Sequence, residues 1–175
     1  MATVSRQRVG FRSWIGIIVA AALMAACGDD PGGSVDTSFV GDISAAVAAV
    51  EAELGLGQEY FEVTAGSKLT NVFVAVDGAT AAIPYVYADG ELLPPAPALS
   101  GASGFTFGAD AIDFDEAAIL AEVAEELPSA TIQTLSVEGG EGGSVRYVVA
   151  AQSAEGGVLD ITVGPDGSVL AVDPV

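Results

Sequence analysis

The chain contains no histidine and one cysteine, and only five of its 175 residues are lysine or arginine against 24 aspartates and glutamates. Without histidine, the commonest metal ligand, the usual general base and the usual pH switch are missing. One cysteine cannot form an internal disulfide, so stability has to come from packing. The formal charge of −19 repels phosphate backbones and anionic lipid, which excludes nucleic-acid binding. Long apolar runs are also lacking: the stretch Trp14 to Ala26 is thirteen residues, short of the about 20 that a spanning helix needs. The hydroxyls, Ser44, Ser67 and Ser129 among them, have no histidine to activate them and no G-x-S-x-G elbow. The glycine-rich "VEGGEGGS" lacks the Lys-Ser/Thr ending of a phosphate loop and reads as a hairpin tip. Paired carboxylates could run glycoside hydrolysis, but so acidic a chain brings some of them together by chance, and no enzyme and no cofactor is expected.

What is present begins with the leader. Arg6, Arg8 and Arg12 precede the oily run with no acid among them, and Gly28, Asp29 and Asp30 end it. Basic leader, apolar middle and small-residue end form a secretory signal pattern; a short buried helix is the bland alternative. The junction "LMAAC", with small Ala25 and Ala26 before Cys27, resembles the lipobox of bacterial lipoproteins, Met24 standing where that family usually has leucine. The resemblance implies a signal peptide over 1–26, cleavage between Ala26 and Cys27, and lipid on the Cys27 thiol. Two or three acyl chains would hold the protein at the extracytoplasmic face of a bacterial membrane, where one chain binds only marginally. An ordinary signal peptide cut at an A-x-A-like site, with Cys27 incidental, is the competing reading. Cleavage would remove three of the five bases and none of the acids, taking the charge from −19 to −22 and leaving only Lys68 and Arg146.

The rest of the chain is 51% hydrophobic over its full length, placed in periodic runs, so it can bury a core despite its charge. Residues 27–41 are small and polar and read as a tether. In "DISAAVAAVEAELG", Ile43, Val47, Val50 and Leu54 form one stripe of an amphipathic helix, with Asp42 as N-cap and Gly55 as stop. Strand-like runs follow at 59–65, 70–78 and 81–93, the last carrying an Asp-Gly hairpin turn. Pro84 confines its strand to an edge or starts it. Residues 96–110, opening in a Pro-rich stretch, read as a linker. The order then repeats: a helix in "DFDEAAILAEVAEELP" with Ile119, Leu120, Val123 and Leu127 on one side, then runs at 130–139, 144–152 and 157–172, again with an Asp-Gly turn. Leu54 to Gly90 spans 36 positions and Leu127 to Gly167 spans 40. The expected fold is α+β: tandem α-β-β-β-β units over 42–95 and 111–175, each an amphipathic helix packed on an antiparallel sheet. Such units of about 60 residues are marginal alone, so they are expected to lean on each other, through edge strands or through Phe105 and Phe107.

The stretch "ELPSATIQTLSVEGGEGGSVRYVVAAQSAEGGVLDITVGPDGSVLAV" resembles the PepSY-like domains of secreted and envelope proteins: a helix ending near Pro, an "A-x-I" strand, a "Y-x-V" strand and a "D-G-x-V-L" close. The first unit follows the plan loosely, with "YVYADGELL" in place of "DITVGPDGSVL". The resemblance extends to the fold of the β-lactamase inhibitor protein, a tandem of helix-on-sheet units. It implies an α+β fold and a non-catalytic, protein-binding or regulatory role outside the cell, and carries over no active-site residues.

Two groups stand out as candidate sites. Asp110, Asp113, Asp115 and Glu116 could hold Ca²⁺; alternatively Asp113 and Glu116 form a capping box, and the calcium-loop pattern is absent. Tyr85 and Tyr87, two apart on one strand, could contact a partner, or, with Tyr60 and Tyr147, pack the core. The expected function is binding to an envelope or secreted protein, such as a protease or cell-wall enzyme, by a lipid-anchored regulatory or inhibitory module. A carrier of an apolar small molecule or lipid is the alternative, and a structural or haloadaptive coat a third.

Overall fold

The computed structural model describes residues 42–175; the signal segment, Cys27 and the tether lie outside the described residues. Helix α1 (Asp42–Leu54) buries Ile43, Ala46, Val47 and Val50. Ile43, Val47 and Val50 are the stripe read from the sequence; Ala46 joins them, and Leu54, in the last turn, is exposed. Strands β1 (Glu59–Gly66), β2 (Thr70–Val76) and β3 (Ala81–Ala88) form a meander. The short β4 (Glu91–Leu92) closes the hairpin, where Asp89 (φ 54°) and Gly90 (φ 83°) both adopt the left-handed conformation that a two-residue turn of this hand requires.

Pro84 lies within β3 opposite Phe73 without breaking the ladder. Its carbonyl accepts from the Ala96 amide at 3.0 Å, so the backbone of residue 84 points away from β2 and no ladder donor is lost. The returning chain adds β5 (Leu99–Ser100) to the edge of β3, and β6 (Phe107–Gly108) pairs with the start of β1. Much of the expected linker is thus bonded into the sheet. A 3-10 turn at Ala109–Ala111 leads to α2 (Glu116–Glu126), followed by β7 (Thr131–Gly139), β8 (Val145–Gln152), β9 (Val158–Val163) and β10 (Val169–Pro174).

Instead of two separate sheets, the chain forms one ten-stranded antiparallel sheet in the order β10-β9-β8-β7-β1-β2-β3-β4, with β5 on β3 and β6 on β1. The join is β1 against β7, Val63 opposite Val137 and Ala65 opposite Leu135. Pairing these two strands removes an exposed edge from each and makes one core. Ile43, Val47 and Val50 of α1 and Ile119, Leu120 and Val123 of α2 belong to a single buried cluster with Val63, Val72, Leu135, Val149 and Ile161 of the strands. Both helices therefore cover the same face. Phe107 is fully buried against Tyr60, ring centroids 5.9 Å apart, whereas Phe105 is exposed.

Candidate binding face of the sheet

Side chains alternate along a strand, so a sheet with its helices on one side presents the intervening residues on the other. Here these are Glu62 and Thr64 of β1, Asn71 and Phe73 of β2, Pro84 and Val86 of β3, Ser136 and Glu138 of β7, Arg146 and Val148 of β8, and Asp160 and Thr162 of β9. The register places them in rows across the strands. One runs Arg146, Glu138, Glu62, Phe73, Pro84, and the next Thr162, Val148, Ser136, Thr64, Asn71, Val86. Among the described residues, neither helix is packed over this face.

Its centre is electrically unusual. Glu62 and Glu138 stand directly opposite on the strand pair that joins the sheet, and like charges so placed destabilise a sheet. Arg146, opposite Glu138 on β8, forms an ion pair with Glu138. Among the described residues Glu62 has no such cation; the Thr64 hydroxyl donates to it, and Thr64 Oγ1 lies 2.8 Å from Ser136 Oγ. Burial pushes the Glu62 carboxyl above its ordinary range, the Thr64 hydroxyl pulls it down and the Glu138 charge pushes it up. Asp160 is also raised, by burial first and then by Glu138, with Arg146 opposing and Asp173 adding. Apolar side chains flank these acids: Phe73, Pro84 and Val86 half-buried on one side, and buried Val148 with half-buried Ala150 on the other.

The tyrosine pair does not reach this face. Tyr85 and Tyr87 do share one side of β3, but it is the core side: Tyr85 is 4% exposed within the buried cluster and Tyr87 packs against it. The physical reason is register, since Val72 and Thr70, their partners on β2, already face inward. Tyr60 is likewise internal; its hydroxyl has no hydrogen-bond partner among the described residues, and burial, then the charge of Glu51, pushes its pKa up.

Nor do Asp110, Asp113 and Asp115, ahead of α2, converge on one site. The N-cap of α2 is Asp115, whose Oδ1 accepts from the Ala118 amide at 3.0 Å, two residues later than the expected cap at Asp113. Asp113 is held by its backbone instead: the Tyr147 hydroxyl donates to its carbonyl at 2.8 Å and accepts from its amide at 3.0 Å. Asp110 lies in the 3-10 turn. Among the described residues no group of three or more Asp, Glu or Cys is placed to hold a metal ion. Cys27 and the cleavage position at Ala26 lie outside the described residues. An open depression of about 420 Å³ lies where β8 and the β9–β10 turn diverge, bordered by Asp113, Arg146, Thr162, Pro165 and Leu170.

Sequence reasoning missed Glu62, Glu138, Arg146 and Asp160 as a group. Their alternation within strands was visible, but their convergence depends on the pairing of β1 with β7, which sets Glu62 opposite Glu138, 76 positions along the chain.

These features define a class: among the described residues, a single-sheet α+β domain with its two α-helices on one face and a charged, partly apolar face that neither helix covers. Among solved structures, a protein from Clostridium difficile 630 described as a "putative lipoprotein" has the same fold, with a TM-score of 0.51 at 12% sequence identity, covering 74% of this chain and 90% of that one. No protein-family model matches the chain, so the PepSY-like resemblance rests on the quoted motifs alone. The comparison with curated proteins finds no match either.

Proposed function

We propose that this chain is a bacterial envelope lipoprotein, anchored through lipid on Cys27, whose uncovered sheet face docks a protein partner and regulates or inhibits it without chemistry. The observation that carries the reading is the face that stays uncovered among the described residues: α1 and α2 are spent on one side of a broad sheet, and the other side offers acids set among apolar groups. Mixed surfaces of this kind suit protein contacts, in which apolar area is desolvated and polar groups set register. The "LMAAC" junction supports the anchor, and the description of the Clostridium difficile neighbour agrees with it. The mirrored strand order on either side of the β1–β7 pair supports a repeated α-β-β-β-β unit whose first strands have joined. A small-molecule carrier has less support, because the space between helices and sheet is filled by fully buried Ile43, Val50, Ile119 and Leu135.

Two measurements test the proposal in a bacterial host making the full chain. Intact mass of the purified protein should show residues 1–26 gone and acyl mass on Cys27, and Cys27→Ser should move the protein out of the membrane fraction. A photoreactive residue at Phe73 should yield protein conjugates that the same residue at Glu125, on the exposed side of α2, does not. A retained leader would end the lipoprotein reading, and equal yields from both positions would end the docking reading.

A further inference from the structure

We infer that the partner received by the uncovered face presents a basic surface, a lysine or arginine of which enters between Glu62 and Glu138. The inference rests on the docking reading above and adds the partner's chemistry to it.

Three observations carry it. First, the sheet places two carboxylates opposite each other at its central seam, where a threonine pair or an apolar pair would be more stable. Of the two, Arg146 pairs with Glu138, while among the described residues Glu62 is left with a hydroxyl donor. A cation arriving from outside would complete the row. Local rules are broken in this way where a surface is kept for a ligand.

Second, the flanks can be desolvated. Phe73 is the cross-strand neighbour of Glu62 on β2 and Pro84 is the neighbour of Phe73, while Val148 lies beside Ser136 in the next row. A protein surface laid across these residues would exclude water from the acids, and charge pairs strengthen when water is excluded.

Third, the charge balance selects the sign of the partner. With a net charge of −19 and only Lys68 and Arg146 as bases after residue 12, the chain repels acidic proteins and second copies of itself and attracts basic ones. Arg146 is already paired on this face.

The test uses the full lipid-anchored chain in detergent and, as probe, a short lysine–alanine peptide at about 0.15 M ionic strength, where long-range attraction is screened. Two double variants remove the same charge: Glu62→Gln with Glu138→Gln on the open face, and Glu122→Gln with Glu125→Gln on the exposed side of α2. The open-face pair should weaken binding about tenfold, and the helix pair should leave it within about twofold. Equal losses from both pairs, or no peptide binding, would overturn the inference. Circular dichroism and urea midpoints confirm that each variant is folded; where the open-face pair is not, Glu62→Gln alone serves. The photoreactive Phe73 position separates the two levels of the argument. Conjugates that persist undiminished in the Glu62→Gln, Glu138→Gln background leave docking standing and sink the basic partner, whereas no conjugates at all sink both.

Discussion

Glu62 is half-buried on β1, in the strand pair at the centre of the sheet, and its neighbours define how it titrates. Glu138 faces it from β7, Phe73 from β2 and Thr64 from its own strand, with Arg146 and Asp160 one and two strands further out. Burial, and after the opposing pull of Thr64 the Glu138 charge, raise its folded-state pKa above the unfolded value. A carboxyl raised in this way binds its proton more tightly in the folded chain. Its stabilising contribution is complete below the unfolded pKa and is lost as pH rises through the folded pKa. Glu62→Gln is therefore expected to be more stable than the parent at pH 7, with the gain shrinking towards zero near pH 4, a range set by the ordinary carboxylate value. Urea unfolding at both pH values measures it. A gain of the same size at both would mean that the charge of Glu62 is not what costs stability.

At the scale of elements, the two helices are placed by different means. Helix α1 is held by its apolar stripe, of which Ile43, Val47 and Val50 were legible in "DISAAVAAVEAEL" and Ala46 was not. Helix α2 begins where the chain is gripped: Tyr147 bonds both backbone groups of Asp113 and its ring lies 5.3 Å from that of Phe114, Asp115 caps the first turn, and the Asp115 amide donates to Pro165 in the β9–β10 turn. Tyr147→Phe removes two hydrogen bonds to a part-buried backbone while keeping the ring. It should cost about 1–2 kcal/mol and speed amide exchange in the first turn of α2 more than in α1. An unchanged urea midpoint would show that the hydroxyl grips nothing of consequence. Element positions were mostly readable, strand spans agreeing with β1–β3 and β7–β10 to within a few residues. The cap at Asp115 was not readable, because Asp113 with Glu116 fits the local capping pattern equally well and only the distant Tyr147 decides between them.

For the molecule as a whole, the decisive contact is β1 with β7. A single buried cluster then runs from α1 through the strands to α2, so neither arm retains a separate core. Unfolding in urea is expected to be one transition, with near-ultraviolet and far-ultraviolet circular dichroism changing together. Two separated midpoints would show that the two arms unfold independently. The sequence by itself determined the elements, the helix stripes, the Asp-Gly turn between β3 and β4, the absence of disulfide or histidine chemistry and the sign of the surface charge, because each follows from neighbouring residues or from composition. Tertiary structure alone decided that the strands form one sheet, that Tyr85 faces the core, and that Glu62, Glu138 and Arg146 share one uncovered face. Period-two alternation marks two sides of a strand without saying which will be buried, and that choice is made only when distant strands pair and the helices settle on one of them.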